Sequence, residues 1–310
     1  MSLPPTGDAL LQGDMTPLPK GGLPSTLKAH QPWRRTLYRF VRNPAAVVGS
    51  AIVLLVVFVA VFAPVIATHP GHVGSFVNIR ERHQPPSSEH LFGTDQVGRD
   101  VFTRVVYGYR VSLLLVLVVL GTAVPVGVVL GLLAGYYGGW VETIIMRVTD
   151  VFLAIPVLVM ALALTAALTP SLTSAMIALA SLWWTWHTRL IFSIVRSLRG
   201  EEYVESARLL GANTLHMLFR ELLPNCVSAI SVKVALDAGF VILIGAGLSF
   251  LGLGVRPPTP DLGMMVSDGS RYLPDMWWQS VFPGLAILVA ILGFNLLGDG
   301  LRDLFDVEVS

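Results

Sequence analysis

VSLLLVLVVLGTAVPVGVVLGLLAG, residues 111–135, runs without a single charged side chain. A hydrocarbon core about 30 Å thick takes roughly 20 apolar residues of helix, so this stretch is long enough to cross one. It ends in Tyr136-Tyr137-Gly138-Gly139-Trp140, aromatic and glycine residues of the kind that mark a membrane–water interface. A second uncharged run, AAVVGSAIVLLVVFVAVFAPVIA, occupies residues 45–67. The long tail before it and the length of the run favour a retained anchor over a cleaved signal peptide. The whole chain agrees: 54% of its 310 residues are hydrophobic, 13% are charged, and the mean hydropathy is +0.68. Soluble domains carry roughly 25% charged residues. The composition predicts an integral membrane protein.

The next uncharged run, Val151 to Thr188, is too long for one helix. Thr169-Pro170-Ser171 divides it, because proline lacks an amide donor and disfavours helix in the residue before it. Two spans follow, about Val141–Leu168 and Leu172–Val195. A fifth is expected from about Ser228 to Leu253 and a sixth from about Trp277 to Gly298. No strand periodicity occurs, so the fold class is all-α with six transmembrane helices. Six spans place both termini on one side. If that side is the cytoplasm, 14 of the 21 Lys and Arg residues fall inside and 7 outside, as the positive-inside rule requires. The tail 1–32 is rich in Pro, Gly and Ser and is expected to be disordered. Trp33 to Asn43 interleaves Arg with aromatics, which suits either an interfacial helix or a solvated lead-in. The organisation is a tail (1–32), a lead-in, anchor and outer loop (33–110), a five-helix core (111–302) and a short tail (303–310).

Several function classes are excluded. Lys20, Lys28 and Lys233 are the only lysines and none completes a phosphate-binding loop, so this chain binds no ATP of its own through one. Cys226 is the single cysteine, which rules out an internal disulfide and a cysteine-based zinc site. A net charge of +1 gives no bulk field for nucleic acid. Gly247-Leu248-Ser249 is followed by Phe250, and no histidine occurs after His216, so a serine-protease centre is not supported. His69 and His72 flank Pro70 and read as a solvated turn.

Residues 196–224 are the polar exception after a nearly uncharged run. Glu201 to Leu210 is helix-compatible, Gly211 fits a position needing positive φ, and Asn213 or Thr214 can cap a second helix. Leu215, Leu218, Phe219 and Leu222 form one apolar stripe in that helix, which Pro224 is expected to end. A plain connector packed on its own helices is the competing reading. A DNA-reading helix-turn-helix is disfavoured, because membrane spans flank the loop and no basic cluster accompanies it.

Glu205-Ser206-Ala207, three residues, Gly211, then Leu223-Pro224 resembles the coupling loop of ABC importer permeases. Ser206 replaces an alanine of that pattern, and Glu221 stands where the pattern has isoleucine, implying a position facing water or a partner. His90-Leu91-Phe92-Gly93-Thr94-Asp95-Gln96-Val97-Gly98-Arg99-Asp100 is similar to a block of the dipeptide, oligopeptide and nickel permeases. So are Leu248–Gly254 with Pro257–Pro260, and Phe294–Asp303. The amino-terminal anchor matches the C-type subunit. The resemblance covers about Trp33 to Asp303.

What the resemblance implies is a type I ABC importer transmembrane fold in a bacterial or archaeal cytoplasmic membrane, with both termini cytoplasmic. It implies a second permease chain, two ATPase subunits carrying ATP and Mg, and an extracytoplasmic binding protein. Di- or oligopeptides or a related small solute would be translocated. The coupling contacts would be Glu205, Ser206, Ala207, Gly211, Leu215, Leu218, Phe219, Leu223 and Pro224. The small-faced fifth helix would line the pathway, with Asp237 and Ser249 as candidates there. Lys233, one turn before Asp237, is its natural local partner. Arg147 and Asp150 can pair likewise. In the 90–104 block, Asp100 reads as a helix cap and Asp95 with Arg99 as a turn-fixing pair. No cofactor or metal is expected on this chain, and covalent chemistry by it is not expected either. The alternative is an ion-coupled secondary transporter, which would need buried carboxylates and usually inverted repeats.

Overall fold

The computed structural model describes residues 40–306. The expectations for the tail 1–32, for Trp33 to Arg39 and for the last four residues lie outside that range. Among the described residues the secondary structure is helical, with one isolated bridge between Thr94 and Asp100.

The anchor, α1 (Pro44–Val61), begins where Asn43 Oδ1 accepts the amides of Ala45 and Ala46 at 2.9 and 3.2 Å. A one-turn helix, α2 (Ala63–Ile66), follows. The long α3 (Val101–Tyr137) starts ten residues before the expected span and carries Pro125 in its interior without breaking. Gly138 and Gly139, both at positive φ, turn the chain into α4 (Gly139–Leu153). That helix meets α5 (Val157–Ala167) at an 84° bend. The expected single span 141–168 is therefore a broken pair. Pro156 lies in the gap, where a missing donor and a fixed φ stop the helix.

The remaining elements are α6 (Leu172–Leu198), α7 (Glu202–Leu209), α8 (Thr214–His216), α9 (Leu223–Phe250), α10 (Leu262–Ser270) and α11 (Trp278–Asp306). Among the described residues four helical stretches are long and apolar enough to cross a membrane: 44–61, 101–137, 214–250 and 278–305; the bent pair, taken as one span, makes a fifth. At 27 residues α6 is long enough, but Trp183, Trp184, Trp186, His187 and Arg189 make it less apolar than the others.

Close helix contact comes from glycine. Gly127, Gly131 and Gly135, one turn apart, put one side of α3 directly on α6: an added Cβ would meet Trp184 O at 2.5 Å, Thr188 O at 2.7 Å and the Val195 side chain at 2.7 Å. Small residues at this spacing let backbones approach in a membrane, where apolar area alone gives no preference for protein over lipid. Gly49 does the same for α1 on α11, its would-be Cβ lying 2.4 Å from Leu297 N. A buried cluster including Val119, Leu179, Trp183, Val241 and Leu248 joins α3, α6 and α9. Large apolar side chains such as Leu54, Leu117, Trp140 and Val151 remain on the outside, as a lipid-facing surface requires.

Candidate coupling loop and intramembrane charge cluster

Three polar regions within this apolar frame hold the candidate residues. The first is the segment from Thr68 to Asp100. Asp95 Oδ1 accepts the amides of Val97 and Arg99 at 3.0 and 2.9 Å, and its Oδ2 takes Arg99 Nε at 2.7 Å. Arg104 Nε stands 3.8 Å from the same carboxylate, and its guanidinium donates to Pro258 O at 3.2 Å. Asp100 caps α3 by accepting Thr103 N at 2.7 Å. Asp95, Arg99 and Asp100 are all buried, so the expected pair and cap are both internal structure.

The solvated turn expected at His69 and His72 is not what forms. His72 is buried, and its Nδ1 accepts the Asp100 amide at 3.1 Å. His90 Nδ1 lies 3.0 Å from Asp100 Oδ1, and His69 Nδ1 lies 3.8 Å from it. Ring atoms of His69 and His90 and an oxygen of Asp100 fall within 4.8 Å of one another, close enough in principle to share a cation. Asp100 is already satisfied by Thr103 N, His90 and the Thr68 hydroxyl. Burial, then the neighbouring His69, push the His72 pKa below its ordinary value.

The second region is the loop that follows α6. Gly211 sits at φ +84°, its amide donates to Arg208 O, and the Ala212 amide donates to Ala207 O, at 3.0 and 3.1 Å. These two bonds are the paired closing bonds of a Schellman turn, in which the residue at C′ is held left-handed. The spacing of Ala207 to Gly211 is therefore the spacing of a helix stop. Ala207 and Ala212 then pack together on the apolar cluster of Val204, Met217, Leu218, Leu222 and Cys226. Asn213 Oδ1 accepts His216 N at 2.8 Å and starts the next helix, so Asn213 rather than Thr214 is the cap.

Pro224 does not end that helix. The chain runs as one span from Thr214 to Phe250, with Met217–Leu222 widened into a π-helical turn. Proline at 224 cannot donate to the carbonyl one turn back and its ring crowds it. A π turn, which shifts the hydrogen-bond register by one residue, absorbs that conflict. The stripe then splits. Leu218 and Leu222 face inward, while Leu215 and Phe219 are exposed. Leu209 and Leu210, each 88% exposed, are two further exposed apolar side chains of the same loop and had not been expected there. Glu205 and Ser206 are exposed, Ala207 and Leu223 half-buried, and Pro224 exposed. Glu221 is half-buried and lies 3.2 Å from His216 Nε2, so a local partner accounts for it.

The third region lies halfway along the spans. Lys233 Nζ pairs with Asp237 Oδ1, as the one-turn spacing implies. His187 of α6 adds a member that only the tertiary fold supplies, its Nε2 standing 3.6 Å from Asp237 Oδ2. Those two atoms are buried without a hydrogen-bond partner among the described residues. Arg189 pairs with Asp150 of α4, replacing the expected Arg147–Asp150 pair, because α4 and α6 pack side by side. A charge at mid-span costs about 2.5–3.5 kcal/mol on insertion scales, so charges there face protein or a water-filled path. Ser249 is elsewhere: it is buried, hydrogen-bonded to Asp261, and about 18 Å of helix rise separates it from Asp237.

Residues 127–310 match the family described as the binding-protein-dependent transport system inner membrane component. The chain belongs to that family. Residues 31–86 match a second family, the N-terminal transmembrane domain of oligopeptide transport permease C. The dipeptide transport system permease protein DppC of Alkalihalophilus pseudofirmus is 41% identical over 96% of this chain and 97% of its own length. The probable D,D-dipeptide transport system permease protein DdpC of Escherichia coli is 42% identical over 86% of this chain and 89% of its own. The glutathione transport system permease protein GsiD of Pectobacterium atrosepticum is 38% identical over 90% and 92%. The chain is thus a multi-pass inner-membrane permease of the ABC importer type rather than an ion-coupled carrier.

Proposed function

We propose that this permease is one of two different membrane chains of an ATP-driven importer for di- or oligopeptides or a related small solute. Two ATPase subunits, holding ATP and Mg, engage residues 205–224, and an extracytoplasmic binding protein delivers the substrate. Both termini and the 205–224 loop lie on the cytoplasmic side, with Asp95 and Asp268 outside. The peptide substrate class is supported by the names of the relatives, and the orientation by the distribution of basic residues.

The observation that carries the coupling role is mechanical. Exposed Leu209, Leu210, Leu215 and Phe219 offer an apolar docking patch beside exposed Glu205 and Arg208. The helix bearing half of that patch continues without interruption to Phe250. A displacement of the loop by closing ATPases would therefore be delivered to Lys233 and Asp237 by a rigid body, as alternating access between packed helices requires. Reconstitution in vesicles tests it. Uptake should need ATP, the two ATPases and the binding protein; uptake driven by an ion gradient through this chain alone would refute it.

A further inference from the structure

The intramembrane cluster opens into a groove of about 480 Å³ lined by Trp186, Arg189, Leu190, Lys233, Asp237 and Phe240. That size lies within the roughly 300–1,000 Å³ of small-molecule sites. The groove is not symmetric in charge. The Asp237 side chain is 4% exposed and Lys233 is 29% exposed; Arg189 is 53% exposed, and its partner Asp150, 45% exposed, lies outside the groove lining. What a solute meets is two basic heads. Each retains spare N–H donors after its one ion pair, since an ammonium has three and a guanidinium five. Trp186 and Phe240 form an aromatic wall, with ring centroids 6.0 Å apart, and Lys233 Nζ stands 5.3 Å from the Trp186 ring centre.

The geometry points to a binding subsite for the carboxylate end of a zwitterionic or anionic solute, such as a peptide C terminus, with its apolar side chain on Trp186 and Phe240. Asp237 and His187 act as positioning residues: the buried carboxylate holds Lys233 in place, and His187 Nε2 faces the oxygen that Lys233 leaves free. His187 is the sixteenth of the 27 residues of α6 and Asp237 the fifteenth of the 28 of α9. At that depth lipid phosphates do not reach, so the anion assigned to the groove is a transported solute. This inference rests on the import reading given above, since it places the groove on the translocation path.

The test uses the complete transporter in phosphatidylcholine vesicles, with Cys226→Ser and Leu190→Cys placing one thiol in the groove. Two thiol reagents of equal size, one anionic and one cationic, report the local charge. The anionic reagent should react at least tenfold faster, and Lys233→Gln with Arg189→Gln should remove that preference. A dipeptide with a free carboxylate, delivered by the binding protein with ATP, should slow the reaction, and Lys233→Arg should retain the protection. Equal reagent rates, an unreactive thiol, or no protection by a dipeptide that is being transported would overturn the subsite. Loss of assembly with the second permease in the Lys233→Gln and Arg189→Gln variants would overturn it too, making the groove a subunit interface. Failure of the unmodified transporter to import any peptide would instead count against the import reading.

Discussion

Residues 90–104 and 205–224 are both polar, glycine-punctuated and rich in family motif residues, yet they use their charges in opposite ways. In the first, Asp95, Arg99 and Asp100 are buried, Asp95 bonded to Arg99 and Asp100 to His90 and the Thr103 amide. In the second, Glu205, Arg208 and Arg220 point outward, and so do Leu209 and Leu210. A motif whose polar groups are satisfied internally specifies a shape. A motif that leaves both charges and large apolar groups exposed specifies a surface for something else. The glycines divide likewise. A Cβ at Gly98 would lie 2.0 Å from Asn78 O, whereas one at Gly211 would meet nothing within 4 Å.

That contrast predicts different consequences for matched substitutions. The largest effect belongs to Gly98→Ala, which adds a backbone clash to about 1–3 kcal/mol of strain at φ +81°. Little folded chain should be recovered from membranes by size-exclusion chromatography. Arg99→Ala should cost about 3–5 kcal/mol, because Asp95 would keep a buried charge with its closest partner gone. A markedly lowered unfolding temperature in detergent would show it, and an unchanged one would mean that Arg104 alone suffices.

Gly211→Val should be milder on folding and harsher on function. The strain at φ +84° weakens the turn, but no atom stands in the way. The chain should reach the membrane in normal amount, with substrate-stimulated ATP hydrolysis reduced about tenfold or more, a change worth about 1.4 kcal/mol in coupling. Glu205→Ala, on an exposed position, should lower it less. If Gly211→Val left stimulation intact, the loop would be a connector like the one at 138–139.

The smallest expected effect is that of pH on the 68–100 segment. His72 must stay neutral to accept the Asp100 amide, and its folded pKa lies below its ordinary value. The unfolded chain therefore takes up the proton first as pH falls below about 6.5. Stability is fully present above that value and declines beneath it. Thermal unfolding at pH 7.5 and 5.5 should show the decline, and His72→Gln should reduce it. His83, whose pKa burial also lowers, accounts for a remainder.

How much of this was legible in the sequence depended on how local the cause was. Hydropathy located the spans because insertion responds to composition summed over about 20 consecutive residues. The Gly211 stop and the Lys233–Asp237 pair are likewise decided within five residues. Proline shows the limit. Pro125 and Pro283 sit inside continuous helices, Pro156 marks an 84° bend, and Pro224 is absorbed by a π turn. The residue supplies the same missing donor each time, and the surrounding packing decides the outcome. Partners beyond helical spacing were not readable: Asp150 with Arg189, His187 with Asp237, and His90 with Asp100, ten residues apart, exist only because helices and loops are brought together. The Gly127, Gly131 and Gly135 ridge was visible as a small-residue repeat, and its spacing would have placed α3 against a neighbouring helix.

The central claim is that the outward face of residues 205–224 seats an ATPase subunit. Leu210→Cys in a Cys226→Ser chain tests it directly, since residue 210 is exposed and is the residue before the Gly211 turn. In the assembled transporter a short bifunctional thiol cross-linker should join residue 210 to an ATPase subunit, and an impermeant reagent added to intact cells should leave it unlabelled. Labelling from outside the cell, or cross-links that never include an ATPase subunit while transport proceeds normally, would contradict the account.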